Sequence, residues 1–365
     1  MITTVKRGLK PLCFFQGDLL YAVGNTLYIA DANFQDAEKV VQLEVPRLVR
    51  PMYHVRLLVR LLRLLPSYAR QVTATMVLVS HMGHAHLIDV REKKIVSRLK
   101  FRDGMRNFLS CSEIKGIPSF DPQISFGEYL DNNARTPVSI WSINLQTEGK
   151  WEKRWTFPQG SIKHIHAIVP DEYRGWVWIL TGDVNGEVGM WAAKNNFTEV
   201  TRVVFGKQIF RACSAFPVRQ GLLYATDSQY ESNSICILEQ EGSDWVSRHI
   251  ADIAGPCIYS TQVGDDYIFA TAVEPGMPKS NVLRTLLDCQ PGPGLNGNYS
   301  EVFVGNLSKG FVSICRMQKD MWPARLFQFG SISFPSGTPT AEYVLAYGTA
   351  LKGIDDVCFK LNVSS

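Results

Sequence analysis

The sequence predicts an all-β fold, a single β-propeller over residues 1–365 with seven blades, six being the alternative if the first two units merge. Three observations carry that prediction. A short β-rich run ending in a small or polar cluster recurs along the whole chain. Most copies are followed, after a turn, by a second strand candidate. The copies are spaced mostly about 45–60 residues apart, which suits four strands per repeat.

The recurring run reads LLYAVGN (19–25), TMVLVSHMG (75–83), ISFGEY (124–129), WVWILTGD (176–183), LLYATDS (222–228), YIFATAV (267–273) and YVLAYGT (343–349). Its follower reads TLYIAD, HAHLIDV, VSIWSI, GEVGMW, NSICIL and finally DDVCFKL. Such runs are rich in β-branched and aromatic residues and bounded by turn formers, the pattern of strands. Propeller strands run radially, so equivalent strand ends gather at one face around the central channel. FGEY, TGD and ATDS are therefore expected to meet although they lie far apart in sequence.

Two segments break the repeat. Residues 46–71, PRLVRPMYHVRLLVRLLRLLPSYARQ, are rich in Leu and Arg and hold no acidic residue, with no Gly or Pro between Pro51 and Pro66. The spacing predicts a basic amphipathic helical insertion in which Arg56, Arg60 and Arg63 share one face. Two roles are open to it: docking on a partner or on anionic lipid through the arginine stripe, or capping the propeller with its leucines buried. Residues 273–300 form a long Pro- and Gly-rich loop insertion, of a length found in functional lids and in mobile insertions alike.

Composition narrows the function classes. The chain is 45% hydrophobic and 20% charged, as for a folded domain, and a net charge of +4 argues against nucleic acid as a partner. No uncharged run is long enough to span a bilayer, and MITTVKRGLKPLCFF lacks the run and cleavage site of a secretory signal. A cytoplasmic location is expected, peripheral at the inner face of the membrane if the basic helix docks there. The eight cysteines form no CxxC pair and are read as buried thiols. P-loop, dinucleotide-binding, nucleophile-elbow and HExxH patterns are missing, which removes support for nucleotide hydrolysis, dehydrogenase and serine-esterase chemistry.

Chemistry-bearing residues concentrate at 121–231. Gly127–Glu128–Tyr129, His164–Ile165–His166, Thr181–Gly182–Asp183, Gln208 with Arg211, and Thr226–Asp227–Ser228 stand at or near the predicted strand ends. On these residues, over roughly 105–350, the chain resembles the sialidase-like propellers with BNR (Asp-box) repeats, found among sugar hydrolases and proteins of polysaccharide clusters. The Asp-box itself survives only as remnants: Ser142, Gly149 and Trp151 in one hairpin, Gly242 and Trp245 in another. The arginine triad and the Tyr/Glu nucleophile of sialidases have no clear counterpart. The resemblance therefore implies the scaffold and a sugar-like ligand, not sialidase activity.

The candidate catalytic residues are Glu128, Asp183 and Asp227, acids at equivalent places on adjacent blades, with His164 and His166 as helpers. Paired carboxylates are what glycosidic cleavage requires, and imidazoles serve acid–base work near neutral pH. A lyase variant would use a histidine base and Tyr129 as acid. Each of these groups has an alternative in which it binds nearby backbone and holds a loop. Tyr129, Glu187, Gln208 and Arg211 are candidate ligand-binding residues, Arg211 as a clamp for a carboxylate or phosphate. No third metal ligand is identifiable from spacing, so neither metal nor other cofactor is expected. Together these readings predict a glycosidase- or transglycosidase-like protein acting on glycan or lipid-linked glycan in polysaccharide metabolism. The alternative is a non-catalytic glycan-binding or scaffolding propeller of a membrane-associated biosynthetic complex.

Overall fold

A computed structural model describes residues 2–31, 34–145, 150–337 and 343–363; Gly149 of the Asp-box remnant lies outside them. Seven four-stranded antiparallel sheets form the blades of a propeller. Every recurring run of the sequence is the second strand of its blade, and each follower is the third. Seven sheets exclude the six-blade alternative.

Blade 1 runs from Lys10–Phe15 to Glu38–Gln42, and the next five blades follow in chain order. Blade 7 is composite. Its inner strands Ser331–Ser333, Tyr343–Thr349 and Val357–Asn362 are completed at the outer edge by Ile2–Arg7 from the other end of the chain. That pairing closes the ring and covers a strand edge that would otherwise stand open.

Adjacent blades seal against each other through large side chains of their strands. Trp178 of blade 4 is fully buried and lies edge-on to Trp176 and to Trp245 of blade 5. Its indole N–H donates to Asp171 at 2.7 Å. These tryptophans wedge between the two blades.

The helical insertion departs from expectation in length and direction. Residues 47–54 form a 3-10 turn, and the α-helix, α1, spans only Arg56–Leu62. Arg63 adopts a left-handed conformation (φ 51°) that ends it, Pro66 disfavours helix just before it, and Tyr68–Gln71 is recruited as the inner strand of blade 2. Free carbonyls at the end of the insertion find partners in the propeller: Arg106 donates to Leu62 O, while Tyr53 Oη and His81 Nε2 both meet Leu64 O.

The arginine stripe is correspondingly not a free docking face. Arg56 makes a two-pronged contact with Asp355 at 2.9 and 2.8 Å, and Asp356 lies close by. Arg60 is 2% exposed; it donates to Phe327 O at 2.7 Å and pairs with Asp320. The acidic partners sit 260 or more positions away, which is why the insertion looked uncompensated in sequence. Arg63 alone is exposed, and it lines the mouth of the central channel beside Val59. Among the described residues no helix is long and apolar enough to cross a membrane.

Candidate functional site

The first strands of all seven blades surround an axial channel with a cavity of about 440 Å³. A second cavity of about 190 Å³ adjoins it at the face covered by α1, and Lys10, Ser67 and Tyr259 border both. The second strands end at this same face, so the polar clusters following them collect beside the mouth.

Asp183 is the hub of that collection. Its strand, Trp176–Thr181, leads through Gly182, whose φ of +106° favours glycine and where a Cβ would lie 2.4 Å from Val188 Cα. The turn thus forced presents the carboxylate toward blades 4 and 5. Asp183 Oδ1 lies 3.2 Å from His164 Nε2, 3.3 Å from His166 Nε2 and 3.2 Å from Arg211 Nη2, while Lys163 Nζ reaches Oδ2 at 3.0 Å. Burial alone would raise this carboxyl, but the neighbouring histidines and the Arg211 charge outweigh it and hold it well below the ordinary carboxylate range.

The two histidines flank the start of strand Ile165–Asp171, where a bulge between Ile165 and Ala167 leaves His166 outside the ladder. Their Nε2 atoms meet at 2.9 Å. His164 Nδ1 contacts Leu130 O at 2.8 Å and His166 Nδ1 contacts Ala212 O at 3.0 Å. Tyr129 lies beside them, its ring centre 4.4 Å from that of His164 and its plane tilted by 43°. Burial lowers the His164 pKa against the opposing pull of Asp183, and it raises the Tyr129 phenol well above its usual value.

Arg211 ties the cluster together. It precedes the inner strand of blade 5, Ala215–Val218, and does not belong to it; Gln208 sits in a 3-10 turn just upstream. Arg211 donates to Asp183 O at 3.1 Å and pairs with Asp227 Oδ2 at 3.3 Å, while Asp227 N donates back to Arg211 O. Gln208 braces the same loops, donating to Asp183 O and accepting from Ser228. Asp227 also receives Cys213 Sγ at 3.1 Å, and its other oxygen, Oδ1, is buried without a hydrogen-bond partner. Burial raises the Asp227 carboxyl, with Arg211 opposing.

The expected trio of acids is only partly assembled here. Glu128 accepts from Ser139 N, Trp141 Nε1 and Arg102, which locks its carboxylate into a turn of its own blade. Glu187 pairs with Arg135. In their place stands Glu274, whose carboxyl is pushed up to about 8 by burial and by Asp227, against Arg211 and Arg325. Sequence reasoning missed it. Yet Glu274 follows the second strand of blade 6 as Asp183 and Asp227 follow theirs, and extending that series by one blade would have found it. Lys163 and Cys213 were missed too, Cys213 having been read only as a buried thiol.

Fold and site together define a seven-bladed propeller with a polar, buried cluster at one channel mouth. No protein-family model matches the chain, and no curated protein sequence matches it. Solved structures do. The chain is similar over its full length to a propeller in the crystal structure of the mitotic checkpoint complex (TM-score 0.56, 9% identity, 95% of that chain). It is similar to the AfRom2 CNH domain (TM-score 0.57, 8% identity, both chains fully covered). The Cps50 (Swd1) β-propeller domain of Myceliophteria thermophila matches over 100% of this chain and 99% of that one (TM-score 0.55, 11% identity). At these identities the likeness is one of fold, and none of these structures points to the sialidase-like or carbohydrate-active families.

Proposed function

We propose that this chain is a non-catalytic binding propeller whose axial channel takes an anionic sugar, a sugar phosphate or a uronate. One observation carries the reading: the residues lining the channel and its mouth include the cations Lys10, Arg63 and Arg70 but no carboxylate among the described residues. Arg70 Nε and Ser214 Oγ are buried there without hydrogen-bond partners. Polar groups so placed cost stability unless something satisfies them.

The hydroxyls support the same chemistry. Ser112 donates to Ile168 O of the next blade and Ser336 to Ala69 O of blade 2, which leaves their oxygens free to accept from a ligand's hydroxyl groups. A cavity of about 440 Å³ falls within the range of small-molecule sites, roughly 300–1,000 Å³. Cleavage is the weaker reading. Asp183 and Asp227 are largely buried and share the guanidinium of Arg211, so neither is free to act as acid or nucleophile across a glycosidic bond.

Calorimetric titration with glucose 1-phosphate and with glucuronate, against neutral glucose, tests the proposal. At least one anionic sugar is expected to bind more tightly than glucose, and Arg70→Gln to weaken that binding about tenfold or more. Binding of none of the three, or binding unchanged by Arg70→Gln, overturns it.

A further inference from the structure

The contacts of His164 and His166 pose a problem that neither ring can solve alone. A carbonyl oxygen only accepts, so Nδ1 of each ring carries the hydrogen given to Leu130 O or Ala212 O. Each Nε2 is then the lone-pair side of its ring, and the two face one another at 2.9 Å. Lone pairs at that distance repel unless something positive lies between them, either a proton or a metal ion.

The surroundings favour an ion. Asp183 Oδ1 stands 3.2 and 3.3 Å from the two nitrogens and completes a compact set of three donors. Donor atoms on a tetrahedral zinc ion, with bonds near 2.0–2.1 Å, lie about 3.3 Å apart, so the set need open only slightly at the histidine pair. Histidine ligands to metals almost always give their other N–H to a carbonyl or carboxylate, and both of these do. Asp183 and Asp227 share the guanidinium of Arg211, and the Asp227 side chain, 3% exposed, has the unpartnered Oδ1 noted above. A second group of donors, His166, Cys213 and Asp227, shares one histidine with the first, all of its atoms within 4.8 Å of one another.

We propose that His164 Nε2, His166 Nε2 and Asp183 Oδ1 hold a divalent transition-metal ion, for which nitrogen and carboxylate donors in this geometry favour zinc. Arg211 keeps its bond to Asp183 O when the ion takes Oδ1, so the turn stays in place. Burial of both imidazoles gives the ion a structural role, pinning the turn after the second strand of blade 4 to the start of that blade's inner strand. The site stands apart from the channel lining, and its fate does not decide that of the channel ligand.

Metal analysis of the purified protein by mass spectrometry tests this, together with thermal melts before and after treatment with a chelator. One zinc ion per chain is expected. Chelation should lower Tm, and added Zn2+ should restore it. His166→Ala should reduce bound metal to a tenth or less, whereas Cys289→Ser, which removes the exposed thiol, should leave it unchanged. Cobalt substitution should give visible absorption of a tetrahedral site. A wild-type protein that purifies without metal and shows no Tm response to Zn2+, or a His166→Ala variant that keeps its metal, overturns the proposal. If His166→Ala does not fold, the chelation and re-addition melts on the wild type decide.

Discussion

Arg211 grips Asp183 twice across a blade boundary, at the backbone oxygen through Nη1 and at the carboxylate through Nη2. Coming from the segment that opens blade 5, it fixes the turn that closes the second strand of blade 4. Removing the guanidinium would leave Asp183, Asp227 and Glu274 buried near one another without their common counter-charge. Arg211→Met is therefore expected to lower stability by about 3–5 kcal/mol, the usual cost of orphaning a buried pair. Arg211→Lys should recover only part of it, since one ammonium group cannot reach both oxygens with the same geometry. Urea unfolding curves measure both, and a loss below about 1 kcal/mol for Arg211→Met would show that the cluster is held some other way.

The arginines of the insertion separate by role. Arg60 is buried against Asp320 and Phe327 O, so Arg60→Ala should cost about 3 kcal/mol or more. Arg63 faces the channel mouth and forms no ion pair among the described residues, so Arg63→Ala should change stability by less than about 0.5 kcal/mol. Chemical denaturation of the two variants side by side checks the contrast, and equal effects would refute it.

How much of this could be read from sequence follows from the range over which each signal acts. The seven second strands were legible because every copy carries the same local pattern of apolar run and polar stop. The orientation of the insertion was not legible, because Arg56 and Arg60 find Asp355 and Asp320 only after the ring has closed. Glu128 looked equivalent to Asp183 by position, yet Trp141 and Ser139 of its own blade capture it. Its neighbours along the chain give no hint of those bonds. The channel cations escaped notice because Lys10 and Arg70 sit on inner strands that are short and weakly patterned.

Glu274 gives the stability of the protein a defined pH dependence. Its carboxyl is raised from 4.5 to about 8 in the folded state, first by burial and then by Asp227, with Asp183 adding and Arg211 and Arg325 opposing. Between those values the folded chain holds a proton that the unfolded chain releases, so this group makes stability fall as pH rises from about 4.5 to about 8. Glu274→Gln removes that contribution. The variant should gain on the wild type by more than about 1 kcal/mol between pH 5 and pH 8, and urea midpoints at the two pH values measure it. Parallel curves for the two proteins would contradict the assignment.

Lys10 links pH to the channel. Burial, reinforced by the charge of Arg56, brings its ammonium pKa down to about 8; it donates to Pro66 O at 2.8 Å and lies 6.0 Å from the Tyr347 ring centre. Anion binding in the channel should weaken as pH rises from 7 to 9 and Lys10 loses its proton. In Lys10→Gln, affinity should already be reduced at pH 7 and vary little over that range. Titration calorimetry at both pH values tests this, and a wild-type affinity that is flat from 7 to 9 would remove Lys10 from the site.

A crystal structure of the protein with the tighter-binding anionic sugar shows where the ligand sits. Density for the sugar is expected inside the axial channel, with its charged group within hydrogen-bond distance of Lys10, Arg63 or Arg70. Density for the sugar elsewhere on the protein, with the channel filled by water alone, would contradict the proposal.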